Sequence, residues 1–174
     1  MLGGLFDPKA DVFIHDRMRP HWSQAGAIVF VTFRTKDSIP KDVLLRWAKE
    51  KNEWIDHRGK RDGTDFRCGK MWHQVLSDLP TEIRDEFHEQ FNRQQDDFLD
   101  TSYGKCHLRK PEYSKIVSDS LMHFDGDRYQ MGDYIVMPNH VHLMAAFSTP
   151  ESMEEQFNSW LHYTATQINR QTGE

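Results

Sequence analysis

The sequence predicts an α+β fold in which helices cover one face of an antiparallel sheet. Three observations support this class. A β-branched and aromatic run at residues 27–33 is typical of a strand, two further strand-like runs meet at Pro138-Asn139, and apolar residues recur at helical spacing in much of the remaining chain. The predicted order is strand, helix, helix, helix, strand, strand, helix, and 174 residues suit one domain.

The first part of the chain predicts one strand and two helices. Residues 27–33 are mostly β-branched and aromatic and follow a glycine, which favours a strand that is buried on both faces. Residues 40–56 and 80–99 each place large apolar side chains near one helical stripe and predict amphipathic helices. The segment between these helices, residues 57–70, is rich in turn-forming and basic residues, so we predict a loop there.

The second part predicts a helix, two strands and a last helix. Pro111 is typical of the first turn of a helix, which we expect to continue to about residue 124. Strands are predicted at residues 130–137 and 140–147, on either side of Pro138-Asn139. The last helix has the clearest pattern, because apolar residues recur at i, i+4, i+7, i+8, i+11, i+12 and i+15 from residue 153 to residue 168.

Composition excludes several classes of protein. Aromatic residues make up 12% of the chain, too many for a disordered protein, and no run approaches 18 apolar residues, so we predict no membrane-spanning helix. The two cysteines form no zinc-binding pair and the N-terminus has no signal-peptide pattern, so we expect a cytoplasmic protein. The net charge is −5, although the first 70 residues hold 14 Lys and Arg against 10 Asp and Glu. Charge alone therefore does not indicate nucleic-acid binding.

The segment His140-Val-His142 carries the main chemical signal. Alternate residues of a strand point to the same face, so the two imidazoles are expected side by side, while Val141, Leu143 and the following alternate residues form a row facing the core. Two neighbouring imidazoles suit two ligands of one metal ion. Two surface histidines on a half-exposed strand are the alternative, since two ligands alone do not make a metal site.

The context of these histidines, Met137-Pro-Asn-His-Val-His-Leu143, resembles the HUH signature (His, bulky hydrophobic residue, His) of the IS200-like tyrosine transposases. It looks closest to the REP-associated tyrosine transposases. The resemblance covers most of residues 15–174. Weaker matches follow in the family's order: Pro20-His-Trp22 with Gly26 and Val29-Phe-Val-Thr-Phe-Arg34, Asp37-Ser-Ile-Pro40, the helix bearing Trp47 and Trp54, Tyr103-Gly-Lys-Cys-His-Leu-Arg109, His123-Phe-Asp-Gly-Asp-Arg-Tyr129, Ser159-Trp160, Thr164-Ala165 and Ile168-Asn169.

This resemblance implies a ferredoxin-like α+β fold of the HUH endonuclease type, with a function in DNA transposition or in REP mobilisation. We expect a single domain over residues 1–174, with residues 1–20 as an N-terminal arm and residues 57–100 as a loop and helical insertion. Family members nick single-stranded DNA beside a hairpin. In them the two histidines and a third polar side chain hold Mg²⁺ or Mn²⁺ on the scissile phosphate, and a tyrosine hydroxyl attacks to leave a 5′-phosphotyrosine. Imidazole ligands suit Mn²⁺ better than Mg²⁺.

The family's tyrosine lies on a later helix, near a Tyr-Ile-x-x-Asn-Pro pattern that does not occur before Glu174. We therefore expect a family member cut short, with impaired or no strand cleavage and without the family's third ligand. Tyr163 is a candidate substitute nucleophile, but it lies about 120° from the centre of the apolar stripe of its helix, where a solvated tyrosine is the simpler interpretation. Gln167, one turn further on, is a candidate polar ligand with the same surface alternative.

Two groups of basic side chains are candidate phosphate contacts, with aromatic neighbours for base stacking. For the group in the predicted loop at residues 57–70, the alternative is a solvated charged loop that binds no phosphate. Two functions remain open: a metal-dependent transposase-like enzyme, or a non-catalytic module that binds hairpin DNA. Either would act on single-stranded or hairpin DNA as a monomer or a homodimer. The groups are Arg17, Arg19 and Arg34 around the first strand, and Arg58, Lys60 and Arg61 in the predicted loop.

Overall fold

The computed structural model describes residues 3–4, 13–15, 21–23 and 25–173. In this part of the chain the protein is α+β, with a three-stranded antiparallel sheet and five α-helices, which confirms the predicted class. The elements are β1 (Phe13–His15), β2 (His21–Ser23), β3 (Ile28–Arg34), α1 (Lys41–Asp62), α2 (Trp72–Val75), α3 (Thr81–Asp100), α4 (Pro111–Met122), β4 (Tyr129–Val136), β5 (His140–Phe147) and α5 (Pro150–Thr172).

The described chain forms two compact units. The first contains the described residues up to Thr35 together with those from Lys105 onward, and the second is Lys36–Gly104. The helical insertion predicted at residues 57–100 lies within the second unit. None of the helices in the described part of the chain combines the length and the apolar composition that a membrane crossing needs.

The sheet of the first unit has the order β3-β5-β4, so β5 is its central strand. Both neighbours are antiparallel to β5. β4 carries an irregularity between Met131 and Tyr134, where its register against β5 shifts. Because the central strand is hydrogen-bonded on both edges, the backbone of His140 and His142 is held more firmly than a loop would hold it.

The core of the first unit lies on one face of this sheet. Val141 and Leu143 of β5 pack in one cluster with Val117 of α4 and Trp160 of α5, and all four side chains are almost fully buried. Tyr129 joins them: its hydroxyl donates a hydrogen bond of 2.6 Å to the carbonyl of residue 121, and burial raises the pKa of this phenol. The prediction that helices cover the Val141 and Leu143 face is therefore confirmed.

Strand β3 differs from its prediction. Its central residue Val31 is buried in the same core, but Phe30 on the opposite face is 64% exposed and Ile28 is 44% exposed. The expectation of burial on both faces was wrong, because α4 and α5 contribute to a core on the Val31 face only. A continuous apolar run alone did not distinguish a strand with two covered faces from one with a single covered face.

The second unit has its own core, built from the helices α1, α2 and α3. Ile55, Trp72, Phe87 and Phe91 form its centre, with Trp72 and Phe87 stacked at 5.7 Å between ring centroids. Thus the apolar stripes predicted for residues 40–56 and 80–99 face a common core. The short helix α2 was not predicted, since four residues are too few to show a period.

The predicted loop at residues 57–70 is helical in its first part, because α1 continues to Asp62 and ends at Gly63 in the left-handed conformation. Two arginine contacts support this extension. Arg58 donates to Asp62 one turn along the helix. Beyond the helix end, Arg67 makes two hydrogen bonds of 2.6 Å to the carboxylate of Asp56, and these hold the pKa of Asp56 below its usual range. Basic residues that suggested a solvated loop therefore participate in local ion pairs.

Candidate metal centre

Two imidazoles stand side by side at the start of the central strand. His140 and His142 are the first and third residues of β5, and their Nε2 atoms are 2.9 Å apart. Their ring planes are nearly perpendicular, with centroids 4.6 Å apart. The predicted same-face arrangement is confirmed, and it follows from the two-residue repeat of a strand.

Each imidazole is oriented by a hydrogen bond at its other nitrogen. Nδ1 of His140 lies 2.8 Å from the side-chain oxygen of Asn139, which can only accept, so this nitrogen carries the proton and Nε2 carries a lone pair. Nδ1 of His142 lies 2.8 Å from the hydroxyl of Thr32, its register partner on β3. A hydroxyl can donate or accept, so Thr32 permits either tautomer of His142.

These contacts are compatible with two states of the pair. In the first state the proton of His142 is on Nε2, which donates it to Nε2 of His140. The hydroxyl of Thr32 then donates to Nδ1 of His142, so the three side chains form a continuous series of hydrogen bonds. In the second state the proton of His142 is on Nδ1, which donates a hydrogen bond to the hydroxyl of Thr32. The Nε2 atoms of both histidines then carry lone pairs that can bind one cation. Two nitrogens bonded at about 2.1 Å to one ion at a right angle would be about 3 Å apart. The observed 2.9 Å therefore suits adjacent ligands of one cation.

A donor pair of two imidazoles does not by itself identify the metal.

The histidines differ in exposure. His140 is fully buried, whereas His142 is half-buried. The expectation that the histidine face is open towards DNA or partly shielded by the last helix was therefore wrong for His140. The expectation of an open face fits His142 better. The neighbouring Phe30 is exposed, and its ring stacks on the His142 ring with centroids 5.4 Å apart and a plane angle of 22°.

The candidate nucleophile Tyr163 lies on α5 and is 48% exposed. That helix places Trp160 and Met153 in the core on the Val141 face, opposite the face that carries the imidazoles. Gln167 is half-buried on the same helix. Nothing in the described residues brings either side chain to His142, and their proposed roles stay predictions.

The candidate phosphate contacts are in different environments. Arg17 and Arg19 lie outside the described residues. Arg34 ends β3 opposite His140, and its Nη1 donates to the carbonyl of Thr35.

The second basic group is on the last turns of α1. Arg58 is 18% exposed and binds the carboxylates of Asp62 and Glu86, so its charge is already balanced by two acids. Lys60 and Arg61 are exposed. These two side chains are therefore better available to a phosphate than Arg58.

Comparison with known proteins gave no match to a protein-family model, to a curated protein or to a solved structure.

Proposed function

We propose that this chain is a transposase-like domain that binds a divalent cation and single-stranded or hairpin DNA. The observation that carries the proposal is the convergence of the two Nε2 atoms of His140 and His142 at 2.9 Å. The Met137-Pro-Asn-His-Val-His-Leu143 resemblance supplies the substrate class and the ferredoxin-like fold of the HUH type. A central strand with helices packed on its other face is consistent with that fold.

The histidine pair fits a transition-metal ion. His140 and His142 would supply nitrogen ligands, which suit Mn²⁺ better than Mg²⁺ and which also bind Fe²⁺ and Zn²⁺. When bound, such a cation would neutralise negative charge on a DNA phosphate. Asn139 and Thr32 would orient the two rings, since hydrogen bonds to the outer nitrogens of metal-binding histidines set their direction and tautomer.

Binding without cleavage is the second candidate function. The position of Tyr163 favours it, because this tyrosine is on a helix that packs against the sheet face opposite the imidazoles. Both candidates share the metal and DNA sites, and they differ in whether a covalent protein–DNA product forms. In either case we expect a cytoplasmic protein.

Calorimetric titration with Mn²⁺ tests the metal site. We expect His142→Gln to weaken Mn²⁺ binding at least tenfold, because it removes one ligand. His162→Gln is the matched control, since it makes the same change at an exposed histidine of α5. Circular dichroism of each variant shows that the fold is retained. Equal Mn²⁺ affinity in wild type and His142→Gln would exclude the metal role.

A labelled hairpin oligonucleotide with Mn²⁺ tests the DNA function. Binding at low salt, where phosphate contacts are strongest, is expected from both candidates. A covalent protein–DNA band on a denaturing gel would establish strand cleavage, and its loss in Tyr163→Phe would identify the nucleophile. Binding without this band would establish the non-catalytic module. No binding at low salt would refute the DNA function.

A further inference from the structure

The sheet face that carries His142 also carries an exposed apolar patch. It contains Phe30, 64% exposed, and Ile135, 54% exposed, from the two edge strands, together with Ile28 and Met144, which are 44% and 36% exposed. The register places them together: Phe30 is opposite Met144, and Ile135 is opposite His142. We call these four side chains the open-face patch.

Phe30 is the most exposed side chain of this patch. It is the one phenylalanine among the described side chains that is classed as exposed, since the others are buried or half-buried. Its ring lies almost parallel to that of His142, 5.4 Å away. An exposed aromatic ring is therefore in direct contact with a candidate metal ligand.

The contact with His142 restricts what can occupy the patch. A second copy of the chain, or another protein that covered the open-face patch, would also cover the exposed side of His142 and exclude substrate from it. A single nucleotide has a different shape, because it carries a flat apolar base and a charged phosphate a short distance apart. Base stacking on exposed aromatic side chains is the usual way in which proteins hold unpaired strands.

We infer that Phe30 is a stacking platform for an unpaired base of single-stranded DNA, beside the phosphate held at the metal centre. This inference rests on the proposed function and adds a base-binding residue to it. Met144, the register partner of Phe30, lies beside the platform and excludes water from the edge of the base. Duplex DNA keeps its bases stacked within the helix, so the platform selects for unpaired nucleotides next to a hairpin.

Fluorescence anisotropy with a short labelled single strand, at low salt and with Mn²⁺, tests the inference. Phe30→Leu keeps an apolar side chain but removes the aromatic ring, and we expect it to weaken binding about tenfold. Phe30→Trp keeps a stacking surface and should retain wild-type affinity. Met122→Leu, at an exposed position on α4, is the control for changing an exposed apolar residue elsewhere. A strand of abasic nucleotides, which keeps the phosphates, should bind wild type and Phe30→Leu equally.

The binding measurements distinguish failure of the stacking role of Phe30 from failure of the DNA-binding function. Equal affinity of wild type and Phe30→Leu for the normal strand overturns the stacking platform and leaves the proposed function intact. Failure of wild type to bind any strand, while Mn²⁺ binding persists, overturns the DNA function and the platform together. Light scattering that shows a wild-type dimer and a Phe30→Leu monomer would assign the open-face patch to a second copy and overturn the inference.

Discussion

Replacing Thr32 by valine removes one hydroxyl from the surroundings of the histidine pair while keeping a β-branched side chain of similar shape. The hydroxyl lies 2.8 Å from Nδ1 of His142. In the metal-binding tautomer this nitrogen carries a proton that Thr32 accepts, so valine leaves it without that partner. The ring of His142 then keeps its stacking on Phe30 and the contact of its Nε2 with Nε2 of His140.

The expected effect is one lost hydrogen bond at a half-buried site. Loss of such a partner of a metal-binding imidazole costs 10- to 100-fold in metal affinity, or about 1.4 to 2.7 kcal/mol. Without metal, the same substitution should lower the free energy of unfolding by about 1 kcal/mol, the usual net contribution of one hydrogen bond. The larger effect should therefore be on metal binding.

Calorimetric titration with Mn²⁺ and urea denaturation of the metal-free protein measure the two quantities. Thr32→Ser is the matched control, because it keeps the hydroxyl and loses only a methyl group. Unchanged Mn²⁺ affinity in Thr32→Val would refute the argument that this hydroxyl orients a ligand. Equal losses in the valine and serine variants would also refute it, because the serine variant keeps the hydroxyl.

Two further predictions concern the stability of the fold. The Arg67 hydrogen bonds lower the pKa of Asp56 from its usual 3.8, so the pair stabilises the protein above about pH 4 and loses this contribution as the pH falls through the lowered pKa. Urea denaturation should therefore show a larger loss of stability on acidification for wild type than for Asp56→Asn, and identical pH profiles would contradict this. A Cβ added at Gly104, where φ is +101°, would lie 2.9 Å from the backbone carbonyl oxygen of Asp37, which cannot move aside as a side chain can. Thermal unfolding should show that Gly104→Ala is about 1 kcal/mol or more less stable than Gly126→Ala, which has a similar positive φ but open space around it, and equal stabilities would remove the steric argument.

Strand β5 and its two faces could be predicted because their signal is local. The alternation in His140-Val-His-Leu-Met-Ala-Ala-Phe147 defines which side chains share a face, and the strand occupies the predicted residues. The helix α5 was predictable for the same reason, since its apolar repeat persists over four turns. Patterns of this kind do not depend on which other element covers the strand or helix.

The contribution of Phe30 could not be predicted, because it depends on tertiary structure. Phe30 belongs to an apolar run that is typical of a buried strand, and its exposure depends on which sheet face the helices cover. The metal and DNA roles themselves stay predictions that the proposed titrations test.

The pairing of β3 with β5 has a consequence for the order of folding. Thr32 and His142 are separated by 110 positions in sequence, and the segment between them includes the whole helical unit Lys36–Gly104. Contacts this distant carry a large loop-closure entropy and form slowly, whereas helices form from local contacts. We therefore expect the helices of the second unit to form before the sheet closes in refolding experiments. The histidine pair then acquires its Thr32 partner late, and a chain caught before that step would have most of its helix but no oriented ligand pair.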